Sequence, residues 1–199
     1  AKGFTAGAAY GGINKHARFN LDVGVLYCQS PCYAAGVFTR NQVRAAPVIL
    51  CQSRLPSTTA RAVIINSGCA NASTGELGLK NAAGMAAIAA AKTGVRPEDV
   101  LVASTGVIGQ HLPLAQIEDA VSRIELSPEG GHALAKAIMT TDTIPKEVAV
   151  RTASYTIGGI AKGAGMIHPN MATLLCFITT DARIETRLLS RALRQSVDK

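Results

Sequence analysis

Short β-branched runs between turn residues predict most of the strands along this chain. These runs occupy residues 21–28, 35–39, 47–50, 62–66 and 99–104. Val148, Val150 and Thr152 alternate with polar residues, as expected for a strand with one face toward water. Residues 173–181, TLLCFITTD, are apolar on both faces and therefore predict an interior strand.

Longer stretches with helical periodicity separate and follow these strands. They cover Glu76–Lys92, which is rich in alanine and followed by Gly94 and Pro97 as stop signals, and then about 113–124, 132–139 and 184–193. Strands follow strands before helices appear, and strict strand–helix alternation is absent from the pattern. We therefore expect an α/β mixed fold, an α+β sandwich with helices packed on mixed sheets, rather than a doubly wound sheet.

Composition and charge fit one ordinary domain or part of a larger one. The 199 residues are 48% hydrophobic and carry a formal net charge of +7, but the basic residues are scattered and aromatics make up only 4%. Nucleic-acid binding is therefore not expected, and the charge indicates a solvated surface or a protein whose other half is acidic. An opening Ala1 without an initiator Met, and an end directly after a helical pattern, suggest a fragment.

The five cysteines predict reduced, mostly buried thiols, because their number is odd and their neighbours are apolar. Cys28 and Cys32 lack a second ligand pair, so we expect no metal. No secretory leader is evident, and the longest apolar stretch, 82–91, is too short to span a bilayer. These features favour a cytoplasmic protein without a membrane partner.

The segment KGAGMIHPNMATLL contains the strongest candidate for chemistry. A glycine-rich loop at 162–165 leads to Ala172 and Thr173, directly before an apolar run. A Thr hydroxyl becomes an effective nucleophile when its own α-amine serves as the base, which requires cleavage of the Ala172–Thr173 bond. On propensity alone, however, a Thr at the start of a strand is usually structural.

Three further motifs provide candidate partners for that nucleophile. STGVIG follows a strand and offers the Thr105 hydroxyl and the unhindered Gly106 amide as oxyanion donors, although such residues usually serve turns. MTTDT, which contains Thr140, ends a helix, where hydroxyls commonly bond the local backbone. Lys162 could hold a substrate carboxylate, although a Lys before a glycine loop is usually a solvated charge.

In combination these motifs resemble the ornithine acetyltransferase family, also called glutamate N-acetyltransferases. The resemblance rests on KGAGMIHPNMATLL together with AAGVFTRNQVRAAPV, NSGCANASTG, STGVIG and AIMTTDTIPK in the same order, and it covers nearly the whole chain. It implies an enzyme of arginine biosynthesis that moves acetyl from N2-acetyl-L-ornithine to L-glutamate by double displacement. It also implies the ornithine acetyltransferase/aminopeptidase-like fold.

The resemblance implies roles for individual residues. The precursor would cleave itself at Ala172–Thr173 into an α chain, 1–172, and a β chain that begins in 173–199 and continues beyond this sequence. Thr173 would carry the acetyl group, Thr105 and Gly106 would form the oxyanion hole, and Thr140, Lys162 and Thr173 would contact substrate. The resemblance further implies an α2β2 heterotetramer, no metal or organic cofactor, and in some relatives acetyl-coenzyme A as a second donor.

Two departures from the family pattern bear on these expectations. The sequence ends soon after Thr173, so further substrate contacts are expected outside it, and an interior Thr173 has no free amine. His168 stands where the family commonly has a small residue. The alternatives are a Thr-dependent aminopeptidase or amidohydrolase of the same fold group, in which water resolves the acyl-enzyme, and a non-catalytic α/β binding domain.

Overall fold

A computed structural model describes residues 1–17, 19, 21–163 and 174–197. The strands in these ranges are β1 Phe4–Ala9, β2 Val23–Ala34, β3 Ser57–Cys69, β4 Val100–Val107, β5 Lys146–Arg151, β6 Thr156–Ala161 and β7 Cys176–Thr180. The α-helices are α1 Ala46–Arg54, α2 Gly75–Thr93, α3 Leu114–Arg123, α4 Gly131–Ala137 and α5 Thr186–Val197. This is the mixed α/β fold that the sequence predicted.

The larger sheet has the strand order β1-β2-β3-β4. Its first three strands are antiparallel, whereas β3 and β4 are parallel and are joined through α2. Side chains of successive strand residues point to opposite faces. Ile64 accordingly belongs to a core cluster that includes Met85 of α2 and Ile117 of α3, and Ile65 belongs to a second cluster with Leu134 of α4.

Helix α2 can pack closely on the sheet because its inner face is built from small residues. Ala82, Ala86 and Ala89 are fully buried in the first cluster. The helix ends at Gly94, whose left-handed φ of 68° is the conformation that a glycine adopts at a helix C-terminus without steric cost. The predicted helix and its stop signal are both confirmed.

The smaller sheet is antiparallel, with the order β5-β6-β7. Ile160 of β6 and Phe177 of β7 pack against the cluster of Ile65 and Leu134, so α4 lies between the two sheets. The backbone N–H of Lys162 donates to the carbonyl oxygen of Leu175 at 2.9 Å, which extends the β6–β7 pairing by one step.

Two of the predicted strands are wrong, and two observed strands were not predicted. Residues 35–39 form a loop. Residues 47–50 lie inside α1, where Pro47 occupies the first turn. In the same helix, the Cys51 thiol donates to the Val102 carbonyl oxygen at 3.1 Å. Strands β1 and β6 were not predicted, because their sequences, FTAGAA and TIGGIA, contain few β-branched residues.

The apolar run at 173–181 does form a strand, β7, but not an interior one. Within the described residues β7 is an edge strand, and Ile178 is 57% exposed. Helix α5, which follows it, has no buried residue. No helix in the described ranges is both long and apolar enough to cross a membrane.

Three of the five cysteines, Cys28, Cys51 and Cys69, are buried, and none is in a disulfide. The prediction of reduced, mostly buried thiols agrees with this. In the part of the chain that the structure describes, no three His, Cys, Asp or Glu side chains are grouped as a metal site would require.

Candidate active site

The predicted oxyanion residues lie where two parallel strands end side by side. In the β3–β4 pairing, Ser67 is opposite Thr105 and Gly68 is opposite Gly106. Thr105 is buried and Gly106 is exposed. A backbone amide that serves a substrate oxygen must be accessible, and the exposure of residue Gly106 at the end of β4 is compatible with this condition.

Gly106 and Gly68 allow three backbone segments to approach one another. Gly106 has φ 131°, and a Cβ atom there would lie 2.3 Å from the Gly68 carbonyl carbon. Gly68 has φ 101°, and a Cβ atom there would lie 2.6 Å from the Asn14 Cα. Each contact is with backbone, so neither position accommodates a side chain unless a neighbouring segment moves. The shape of this strand end therefore depends on both glycines.

A buried carboxylate, Asp22, fixes the loop that backs Gly68. Its side chain accepts three backbone N–H groups of that loop, from Gly11, Ile13 and Asn14, at 2.5, 2.7 and 2.9 Å. Its own carbonyl oxygen accepts the N–H of Ser67 at 2.8 Å. Asp22 therefore holds the loop against β3, because losing it would leave three donors without their acceptor.

Asn14 connects the end of β3 to the predicted substrate-binding residue Thr140. The Asn14 Nδ2 group donates to Ser67 Oγ and to the Met139 carbonyl oxygen, both at 3.4 Å. Asn14 is 8% exposed, so these long hydrogen bonds are shielded from water. Thr140 follows Met139 directly and is half-buried. The structure thus brings the Thr105 strand end and Thr140 together through one side chain.

A second carboxylate, Asp142, joins Thr140 to the start of the glycine loop. Its Oδ1 accepts the Gly163 N–H at 2.5 Å and Lys146 Nζ at 2.6 Å. Its Oδ2 accepts the Thr140 N–H at 3.3 Å. Burial raises the pKa of the Asp142 carboxyl, but these hydrogen bonds and the Lys146 charge outweigh burial, and the net pKa is lowered. Asp142 is therefore an anion at neutral pH.

Lys162 is a buried cation beside this carboxylate. It is 4% exposed, and its Nζ donates to the Gly163 carbonyl oxygen at 2.7 Å. Burial lowers the pKa of Lys162, the Asp142 charge raises it, and the Lys146 charge lowers it, with a lowered pKa as the net result. The interpretation of Lys162 as an ordinary solvated charge is wrong, because water is excluded from it.

The structure places the candidate residues in one connected arrangement, with one gap. Thr105 and Gly106 are linked to Thr140 through Ser67 and Asn14, and Thr140 is linked to Lys162 through Asp142 and Gly163. Ala172 and Thr173 lie outside the described residues, so their predicted roles stay predictions.

Four residues that organise the site were not identified from the sequence. They are Asn14, Asp22, Gly68 and Asp142. The two aspartates had a weak signal, because Asp22 precedes an apolar strand and Asp142 lies in a hydroxyl-rich helix terminus, and both are polar groups at points of burial.

The arrangement offers the donors and charge that acyl chemistry needs. A hydroxyl at Thr105 and the backbone N–H of the exposed residue Gly106 are the groups that would stabilise a developing oxyanion. A buried ammonium at Lys162 can bind a substrate carboxylate as a point charge in a low-dielectric setting. A cleft of about 590 Å³ lies elsewhere, between Pro56 and the arginines of α5, and its lining includes none of these residues.

Comparison with protein families gives one matching model, the ArgJ family, over residues 5–199. The arginine biosynthesis bifunctional protein ArgJ of Dehalococcoides mccartyi is 52% identical over 99% of this chain and 50% of its own length. The protein of the same name from Bacillus subtilis is 44% identical over 99% of this chain and 49% of its own length. The chain thus spans about half the length of the curated relatives it matches.

Two solved structures share this fold. Ornithine acetyltransferase from Mycobacterium tuberculosis, crystallised in complex with ornithine, has a TM-score of 0.76 and 42% identity, covering 87% of this chain and 93% of that one. Arginine biosynthesis bifunctional protein ArgJ from Bacillus halodurans has a TM-score of 0.73 and 38% identity, covering 86% of this chain and 92% of that one.

Proposed function

Because this chain belongs to the ArgJ family, we propose that the protein moves acetyl from N2-acetyl-L-ornithine to L-glutamate through an acetyl-Thr173 intermediate. One observation carries the proposal. Asn14 bonds Ser67, which pairs with Thr105, and the Met139 carbonyl next to Thr140. Asp142 bonds the backbone of Thr140 and of Gly163, the neighbour of Lys162, and these contacts support the proposal. Oxyanion donors and a carboxylate-binding charge do not by themselves transfer an acyl group, so the reaction also needs a nucleophile.

The first chemical step is self-cleavage of the precursor. The Thr173 Oγ attacks the Ala172 carbonyl carbon, the peptide C–N bond breaks, and the Thr173 nitrogen takes up the hydroxyl proton to become an amine. Water then hydrolyses the ester and releases an α chain, 1–172, and a β chain that begins at Thr173. The reference pKa of an α-amine is roughly 8, so a useful fraction of such a group is neutral near pH 7 and can act as the base.

Acetyl transfer follows in two steps. The Thr173 amine accepts the hydroxyl proton as Oγ attacks the acetyl carbonyl, Thr105 and Gly106 stabilise the oxyanion, and ornithine leaves with a proton on its nitrogen. The glutamate amine then attacks the acetyl ester, and collapse of the oxyanion returns the Thr173 hydroxyl. Lys162 binds the α-carboxylate, and Thr140 contacts the substrate beside it.

The family resemblance also implies an assembly and a cellular setting. We propose an α2β2 heterotetramer in the cytoplasm, with the remaining substrate contacts supplied by the rest of the β chain. The names of the curated relatives include the word bifunctional, so acetyl-coenzyme A is proposed as a second acetyl donor.

Intact-mass and peptide mass spectrometry of the full-length protein test the proposal. Incubation with N-acetylornithine without glutamate should add one acetyl group to Thr173, and added glutamate should remove it as N-acetylglutamate. Thr173→Ala should remain uncleaved and unacetylated, whereas Thr58→Ala, which changes an exposed hydroxyl on β3, should behave like the wild type.

Three other outcomes would point elsewhere. Normal cleavage of Thr173→Ala would refute the assignment of the nucleophile. Acetate in place of N-acetylglutamate would favour the hydrolase alternative. An uncleaved and unacetylated wild type would favour a non-catalytic binding domain.

A further inference from the structure

The Asp142 carboxylate is a point at which two distant segments and two cations meet. Its Thr140 contact is local, whereas Gly163 is 21 residues away along the chain. The Asp142 side chain is 3% exposed, and that of its partner Lys146 is 45% exposed. A carboxylate that only capped its own helix end would bond the local backbone alone. The contact with Gly163 therefore indicates a second role for Asp142.

The backbone geometry leaves little freedom at the Gly163 contact. A Cβ atom at Gly163 would lie 2.7 Å from Asp142 Oδ1, so the carboxylate is packed directly against the Gly163 backbone as well as hydrogen-bonded to it. The Gly163 carbonyl oxygen in turn accepts Lys162 Nζ. The Gly163 backbone therefore contacts both Asp142 and the Lys162 ammonium, so a displacement of Asp142 should also displace the ammonium.

We propose that Asp142 is a positioning residue that holds Lys162 in place relative to Thr140. The inference rests on the proposed function, in which both residues contact the substrate. Asp142 itself acts through them and needs no contact with the reacting atoms.

The electrostatics of the cluster give this role a distinctive signature. Burial lowers the pKa of Lys162, the negative charge of Asp142 raises it, and the positive charge of Lys146 lowers it further. Removing the Asp142 charge should therefore shift the loss of the Lys162 proton to lower pH. Removing the Lys146 charge should shift it to higher pH, although both substitutions break the same 2.6 Å ion pair.

Steady-state kinetics of the full-length protein across pH provide the test, with Asp142→Asn and Lys146→Gln as the variants. Asp142→Asn keeps the side-chain size and should raise KM for N-acetylornithine roughly tenfold or more, with a smaller change in kcat, because it weakens charge-assisted hydrogen bonds. The alkaline limb of kcat/KM should move to lower pH in Asp142→Asn and to higher pH in Lys146→Gln.

Asp119→Asn is the matched control, because Asp119 forms an exposed ion pair with Arg123 at 2.6 Å on α3. Its kinetics and pH profile should equal those of the wild type. Asp142→Glu restores the charge, so its alkaline limb should return toward the wild-type position. The inference is overturned if Asp142→Asn matches Asp119→Asn, or if Asp142→Asn and Lys146→Gln shift the limb in the same direction.

NMR titration of lysine side chains separates this inference from the proposed function. In ¹³C-lysine-labelled full-length protein, Lys162→Arg identifies the Lys162 signal, and its titration requires no turnover. Opposite shifts in Asp142→Asn and Lys146→Gln support the inference even if the wild type transfers no acetyl group. If Asp142→Asn does not fold, Lys146→Gln alone must move the Lys162 titration to higher pH, and an unmoved titration overturns the inference.

Discussion

Substitution of Gly106 by alanine should damage both the stability of the protein and its acetyl transfer. The new Cβ atom would lie 2.3 Å from the carbonyl carbon of Gly68, 2.6 Å from its oxygen and 2.7 Å from the Cys69 nitrogen. All three atoms belong to the backbone at the end of β3, where Gly68 is also packed against the Asn14 backbone. Relief therefore requires the two strand ends to separate.

Two terms set the size of the effect. A residue with a side chain at φ 131° is strained by about 1–3 kcal/mol. Overpacking against an immobile neighbour adds about 1–3 kcal/mol. We therefore expect Gly106→Ala to lower the free energy of unfolding by about 2–6 kcal/mol. Displacement of the oxyanion donor by about 1 Å should also slow acetyl transfer about a hundredfold.

Gly94→Ala is the control that separates strain from overpacking. Gly94 also has a positive φ, 68°, but no atom lies within 4 Å of its added Cβ. This variant should lose about 1–2 kcal/mol and retain its activity. Urea unfolding followed by circular dichroism measures the stability of both variants, and acetyl transfer is assayed in parallel. Equal losses of stability in the two variants would refute the close approach of β3 and β4 at Gly68.

Three further predictions concern single side chains of the site. Asp22→Ala should lower the free energy of unfolding by about 3 kcal/mol or more in urea, because three backbone donors lose their acceptor, whereas Asp119→Ala should change it little. Thr105→Ala should lower kcat tenfold to a thousandfold in the acetyl-transfer assay, and an unchanged rate would remove Thr105 from the oxyanion hole. Asp142 has a pKa in the folded state below its unfolded value, so its stabilisation should be complete above about pH 4 and disappear as the pH falls through the folded value. Urea midpoints measured against pH should show a smaller acid loss in Asp142→Asn than in the wild type, because Asp99 and Asp181, whose pKa values are also lowered, remain in both proteins.

The elements predicted well from sequence were those whose local pattern and tertiary environment agree. The α2 helix has an alanine-rich periodic sequence and a glycine stop, and its packing against the sheet uses the same small face. Strand β3 has a β-branched centre that is buried on both sides. By contrast, PVIL at 47–50 has strand-like composition but lies in α1, because packing of that segment against α2 and β4 overrides a weak propensity.

The sequence alone determined the chemistry that is available at each motif. Thr105, Gly106, Thr140 and Lys162 were identified by residue type and motif order, and their roles in the site stay predictions. The groups that each residue can offer follow from its residue type, which is read directly from the sequence.

Only the tertiary structure decided how these residues are held. The Asn14 bridge spans 125 positions to Met139, and the Asp142 contact spans 21 positions to Gly163. No local sequence pattern predicts such contacts, because they form only after segments that are distant in the sequence have packed together. The burial that lowers the Lys162 pKa is likewise a property of the folded chain and not of the local sequence.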